Sequence, residues 1–173
     1  IGLGYVGLPL SLTYSKKGYK VLGFDVNENV IELINKGESH IHHIDSARVK
    51  KYRSSNLLEA TFNFSRVAEV DALIICVPTP LTKYREPDLS YIKSTMTSLV
   101  PNLKEGQVIS LESTTYPGTT EEILKPLIES AGFDIGSNFF LVYSPEREDP
   151  GNPDFDTSTI PKVMGGSTES CRE

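Results

Sequence analysis

The sequence predicts an α/β fold: a Rossmann-like, doubly wound, mostly parallel sheet with helices on both faces. Three observations predict it. Short apolar runs rich in β-branched and aromatic residues alternate with stretches of helical periodicity. That alternation suits parallel strands joined by helices. A glycine-rich turn, "GLGYVG", also stands between a strand tail and a helix at the start of the chain.

The elements follow in order. Ile1-Gly2-Leu3 reads as the tail of a strand, and Val6 to Lys17 as a helix with Pro9 in its first turn. Lys20 to Phe24 is a strand. Asn27 to Asn35 is a short helix with an Asn cap and Gly37 just past its end. Between Gly37 and Phe62 the pattern weakens to one helix, Ala47 to Arg53, and a histidine-rich loop, read as an insertion. Ala72 to Val77 is a continuous apolar run, as in a strand covered on both faces. Asp88 caps a helix that Pro101 ends, and Gln107 to Leu111 is the next strand. Thr119-x-x-Glu122 reads as a capping box for a helix kinked at Pro126. Phe139 to Tyr143 is a strand, and Lys162 to Met164 a short further one. Cys171 falls at the start of a helix, and Asp71 marks the start of a strand.

Composition narrows the classes of function. At 173 residues the chain is long enough for one domain with a full core. Its net charge of −6, with no basic run longer than Lys50-Lys51, argues against nucleic acid as a partner. No apolar stretch reaches the length of a membrane span, so no membrane partner is expected. Ile1 is not a natural start, which leaves targeting upstream open. Cys76 and Cys171 sit in no CxxC pair and read as reduced thiols of a cytoplasmic protein.

The glycine turn carries the first chemistry. Gly2 allows the tight turn, Gly4 lets backbone approach a pyrophosphate, and Gly7 lets the helix pack close to the sheet. Amides at the helix start, with Tyr5 and Val6, then meet the phosphates. A strand ending in Asp25 follows about twenty residues later. Its carboxylate can accept from the ribose hydroxyls and repels a 2′-phosphate. NAD is therefore expected over NADP.

In an open parallel sheet, ligands bind outside the carboxyl ends of the strands. Three further strands end in stiff polar loops: "ICVPTPL", "LESTTYPGTT" and "VYSPEREDPG". The second offers Glu112, Ser113, Thr114 and Thr115; the third drives an apolar strand into Glu146, Arg147, Glu148 and Asp149. His40, His42 and His43 lack a partnering acid or cysteine pair, so no metal is expected.

Taken together, "GLGYVGLPL", "ICVPTPL", "ESTTYPGTTEE" and "YSPEREDPGN" resemble, in order and spacing, the UDP-glucose/GDP-mannose dehydrogenase family. With "HIHHI" at 40 to 44, the last motif looks most like the UDP-N-acetylglucosamine 6-dehydrogenases. The resemblance implies an NAD-dependent oxidoreductase that takes a UDP-sugar C6 alcohol to the uronate in two oxidations, for surface polysaccharide. UDP-N-acetylglucosamine is favoured; UDP-glucose and UDP-N-acetylmannosamine are the alternatives. The family captures an aldehyde on a cysteine and hydrolyses the resulting thioester.

Site residues carry over by motif. Gly2, Gly4, Tyr5, Val6, Gly7 and Asp25 hold NAD. Val77, Pro78, Thr79, Pro80 and Leu81 line the cofactor's path, with Thr114, Thr115 and Tyr116 nearby. Thr115 resembles the threonine that positions the catalytic water, and Glu146 the general base acting through it. Glu146, Arg147 and Glu148 fall where the family contacts substrate. Two departures stand out. Val30 occupies the place of a basic residue five positions after the ribose-binding acid in several members. The catalytic cysteine and lysine belong to motifs expected beyond residue 173; Cys76 reads as core. Residues 1–173 thus read as an NAD-binding domain of a larger protein, a homodimer or higher homo-oligomer at full length, its central helix and substrate domain lying outside this chain. A β-hydroxyacid dehydrogenase, in which "YSPER" has no role, and a non-enzymatic NAD-binding module remain open alternatives.

Overall fold

The computed structural model describes residues 1–146 and 161–173. The chain forms two compact units, one over residues 1–63 and one over residues 64–146 and 162–173.

In the first unit, helix α1 (Gly7–Lys16) leads to strand β1 (Val21–Phe24), then α2 (Glu28–Lys36), α3 (Ser46–Ser54) and β2 (Leu58–Thr61). The expected strand tail at residues 1–3 is not a strand; Gly2 N–H donates to the Phe24 carbonyl at 2.8 Å. Helix α2 is capped as its sequence predicts. Asn27 Oδ1 accepts from Asn29 N–H, and Gly37 closes the C-terminus at φ +84°, a conformation that costs a side-chain residue free energy. Strand β2 was hidden within the supposed insertion. It pairs parallel with β1, from Val21 opposite Leu58 to Phe24 opposite Thr61. Its free edge borrows Asn35 of α2, whose side chain accepts from Ala60 N–H at 3.0 Å and donates to Ala60 C=O at 2.8 Å. Leu3, Leu8, Leu12, Ile31, Ile34, Val49 and Leu58 form the core. Each such side chain contributes about 1.5–3 kcal/mol by leaving water. Ile41 and Ile44 join it, so the isoleucines of "HIHHI" anchor the loop that carries the histidines.

In the second unit, β3 (Ala72–Ile75), α4 (Ser90–Leu99), β4 (Val108–Leu111), α5 (Lys125–Ser130), β5 (Phe140–Tyr143), β6 (Gly165–Gly166) and α6 (Glu169–Arg172) follow in order. The sheet runs β3-β4-β5-β6. The first three strands are parallel, with Ala72, Val108 and Phe140 in register, while β6 is antiparallel to β5. The short strand expected at Lys162 to Met164 is displaced to Gly165–Gly166, where glycines let α6 approach the sheet. A Cβ on Gly166 would lie 2.6 Å from Arg172 N. Gln107, wholly buried, ties the start of β4 to the segment ahead of β3 and to its own preceding turn: Nε2 donates to the carbonyls of Val67 at 2.9 Å and Val70 at 2.8 Å, and Oε1 accepts from Lys104 N–H.

Three further expectations are corrected. The Thr119–Glu122 capping box does not form: Thr119 Oγ1 donates to Tyr116 C=O instead. The irregularity expected at Pro126 is a π turn, Thr120–Leu124, after which Pro126 sits in the first turn of α5. There its missing N–H costs little. Cys76 lies past the end of β3 and is half-buried rather than core. Among the described residues, no helix is long and apolar enough to cross a membrane.

Candidate active site

The glycine turn sits in the first unit. Gly2 has φ +84°, the left-handed conformation that the tight turn requires. A Cβ built on Gly4 meets nothing within 4 Å, so the backbone faces open space there. Helix α1 then begins at buried Gly7, behind Val6, with no side-chain cap and no acid in its first turn. Such a start leaves its N–H groups to an anion. Asp25, immediately after β1, is bound into the same turn. Its Oδ2 accepts from Leu3 N–H at 2.8 Å and its Oδ1 from Asn27 N–H at 2.9 Å. Each carboxylate oxygen keeps a second lone pair for a ribose hydroxyl. The exposed Tyr5 ring stacks on His43, centroids 5.9 Å apart. Val30 packs against the core. An open glycine backbone, an uncapped helix start and a fixed carboxylate fit a dinucleotide.

In the second unit, the common register of β3, β4 and β5 brings the loops after them to one carboxyl edge. Two hydroxyls tie the first two loops together. Thr79 Oγ1 donates to Thr114 C=O at 2.6 Å, and Ser113 Oγ to Val77 C=O at 2.7 Å. Pro78 and Pro80 flank Thr79 on the exposed side. Leu81, also exposed, bridges to Pro87 in a small hairpin. Tyr116 is partly exposed, its hydroxyl 3.4 Å from Glu122 Oε2. Thr115 Oγ1 is buried with no hydrogen-bond partner among the described residues, and so is Ser144 Oγ, which sequence reasoning missed. A buried hydroxyl of this kind can bond to a water or a ligand.

Glu146 follows β5 at this edge, its side chain 12 % exposed. Its N–H donates to the Glu112 carbonyl at 3.0 Å. Glu112 is more deeply buried, its side chain 5 % exposed, and its Oε2 is paired with Lys162 Nζ. The same Nζ lies 3.9 Å from Glu146 Oε2. Two carboxylates therefore share one ammonium. Burial pushes the Glu112 carboxyl above its ordinary range, and Lys162 pulls against that shift. Burial likewise pushes the Cys76 thiol up to about 11. Such a thiol stays protonated at neutral pH, unlike an activated nucleophile. Arg147 and Glu148 lie outside the described residues.

The fold and the glycine turn define a class, the dinucleotide-binding domain of a dehydrogenase. Residues 1–173 match the NAD-binding domain of the UDP-glucose/GDP-mannose dehydrogenase family, and the chain belongs to that family. It is 38% identical over 174 residues to a UDP-N-acetyl-D-glucosamine 6-dehydrogenase of Pseudomonas aeruginosa, covering 100% of this chain and 40% of that protein. It is 34% identical to a UDP-N-acetyl-D-mannosamine dehydrogenase of Pyrococcus horikoshii, over 99% of this chain and 41% of that one. The solved UDP-N-acetyl-mannosamine dehydrogenase of Staphylococcus aureus superposes with a TM-score of 0.87 at 35% identity, covering 98% of this chain and 41% of that one. The chain thus spans about two fifths of the length of these relatives.

Proposed function

We propose that the protein containing this chain is an NAD-dependent nucleotide-sugar 6-dehydrogenase, taking the C6 alcohol of a UDP-sugar to the carboxylate in two oxidations. The observation that carries the reading is the carboxyl edge of β3, β4 and β5. There a half-buried carboxylate, Glu146, follows the strand end, and the neighbouring loop offers the hydroxyl of Thr115, buried and without a hydrogen-bond partner among the described residues. NAD, when bound, accepts the hydride. The chain's own residues do the rest of the work assigned to them. The glycine turn holds the pyrophosphate, and Asp25 holds the adenosine ribose. Thr115 orients a water. Glu146 takes a proton from that water as its oxygen attacks the acyl carbon and the bond to the enzyme's sulfur breaks. Arg147 and Glu148 contact the sugar nucleotide.

The likeness to the Pseudomonas protein and the wording of "YSPEREDPGN" favour UDP-N-acetylglucosamine. Relatives named for UDP-N-acetylmannosamine are nearly as similar, so that sugar is the specific rival. A cytoplasmic homo-oligomer supplying uronates to surface polysaccharide completes the proposal.

The test is stoichiometry and screen together. The whole protein, offered UDP-N-acetylglucosamine, UDP-N-acetylmannosamine and UDP-glucose, should reduce two NAD per sugar with one of them and release a uronate. One NAD per sugar with an aldehyde or ketone product would reject the reading. Glu146→Gln should slow hydrolysis and let acyl-enzyme accumulate; unchanged turnover would remove Glu146 from the mechanism.

A further inference from the structure

We propose that His43 is a positioning residue for the dinucleotide: its imidazole, stacked on the Tyr5 ring, holds that ring beside the glycine turn before NAD arrives. This rests on the assignment of Tyr5 to the cofactor.

Tyr5 sits where the chain is open to a ligand. It follows Gly4, whose backbone faces open space, and precedes the uncapped start of α1. Its backbone is fixed from both sides. The Gly4 carbonyl accepts from Leu8 N–H at 3.1 Å, and the Val6 carbonyl from Leu10 N–H at 3.2 Å. The side chain is less constrained. Tyr5 is 64 % exposed, and a ring that projects so far into water samples several rotamers unless something holds it. His43 holds it. The two rings stack with centroids 5.9 Å apart and planes 23° apart. The stack leaves most of the Tyr5 ring in solvent, free to meet a ligand.

His43 can serve as a fixed point because its own loop is pinned on both sides. Ile41 and Ile44 are 2 % and 4 % exposed and belong to the core of the first unit. Ser39 Oγ donates to Ile41 C=O at 3.1 Å and accepts from Ile41 N–H at 3.1 Å. Ser39 N–H donates to Ser46 Oγ at 2.9 Å, and Ile44 N–H to Ile41 C=O at 3.0 Å. Asp45, directly after, caps α3 by accepting from Ala47 N–H at 2.8 Å. His43 itself stays exposed between these anchors. Such a loop presents the ring instead of burying it. Immobilising a side chain on binding costs free energy, and a ring already in place spares the complex that cost.

The test is calorimetric titration of the whole protein with NAD, run as a double-mutant cycle. His43→Ala should raise Kd roughly two- to tenfold, the worth of one aromatic pair. His43→Phe, which keeps a ring to stack, should stay within about twofold of the parent. Tyr5→Ala should weaken binding at least as much as His43→Ala. The double variant should bind no more weakly than Tyr5→Ala alone, because His43 acts through Tyr5. The urea midpoint of His43→Ala should stay at the parent value, since both rings are exposed. An unchanged Kd in His43→Ala overturns the proposal. So does a His43→Phe protein as weak as His43→Ala, which would make the ring nitrogens the active part. Additive losses in the double variant, the mark of a merely structural role, overturn it too. If Tyr5→Ala weakens NAD binding while His43→Ala does not, only the role of His43 falls. If Tyr5→Ala leaves Kd unchanged, the assignment of Tyr5 falls and this proposal with it. The nucleotide-sugar reading is tested apart from both, by the NAD reduced per sugar.

Discussion

Asp25 is predicted to perform two tasks that substitution can separate. Its carboxylate accepts from Leu3 N–H at 2.8 Å and from Asn27 N–H at 2.9 Å. The two bonds are not equal. Asn27 is exposed, so water replaces its partner at little cost, but Leu3 is 1 % exposed. Asp25→Ala should therefore cost about 1–3 kcal/mol, nearly all from the stranded Leu3 N–H. Asp25→Asn can turn its carbonyl toward Leu3 and should cost less, about 1 kcal/mol. Cofactor binding follows a different rule. Both variants lose the anion that repels a 2′-phosphate. At about 5 Å that repulsion is worth about 1–3 kcal/mol, so the preference for NAD over NADP should fall roughly five- to 150-fold in both. The assays are urea unfolding and calorimetric titration of the whole protein with NAD and with NADP. An Asp25→Asn protein that folds normally and keeps the parent NAD/NADP ratio would refute the ribose assignment. Equal stability losses in the two variants would refute the geometry assigned to Leu3.

Three other outcomes follow from the packing. Gln107→Ala should destabilise by about 1–3 kcal/mol in urea unfolding, because it removes a wholly buried side chain that donates to the carbonyls of Val67 and Val70 and accepts from Lys104 N–H. Gly166→Ala should cost about 1–3 kcal/mol or more and loosen α6, visible as faster amide exchange there, since the new methyl meets backbone of Cys171 and Arg172 under 3.0 Å away. The Cys76 thiol, raised to about 11 by burial, should alkylate slowly at pH 8 and speed up only toward pH 11. Its folded value lies above the unfolded 9.0, so its contribution to stability is whole below pH 9 and lost as pH rises through 11.

Elements whose signals are local were legible. The Asn27 cap and Gly37 of α2, the apolar run of β3, and the positive φ at Gly2 are each dictated by a few neighbouring residues. Strand β2 was not, because "LEAT" buries only Leu58 and Ala60, and two apolar residues make no period. What makes it a strand is nonlocal, the ladder with β1 and the clasp of Asn35. The capping box failed for a related reason. Its residues are right, but Gly118 at φ +103° turns the chain so that Thr119 bonds back to Tyr116. A local motif states what a helix start can do, and the preceding turn decides whether it does so.

The candidate site divides along the same line. The glycine turn and the three loops are contiguous motifs, so residue order alone placed Asp25, Thr115 and Glu146 past the ends of strands and Gly4 ahead of a helix. Lys162 stands fifty positions from Glu112, in a stretch whose only sequence signal was a short strand in the wrong place. No pattern in "IPKVMGG" announces a partner, because an ion pair of that span exists only once β5 and β6 are aligned. The run Glu146-Arg147-Glu148-Asp149 is the dense stretch of charge at this edge in the sequence, yet the ammonium that reaches Glu146 among the described residues is that of Lys162. This inverts the usual reading of a charged loop after a buried strand. The loop supplies Glu146, and a lysine far along the chain, Lys162, reaches both it and the buried Glu112.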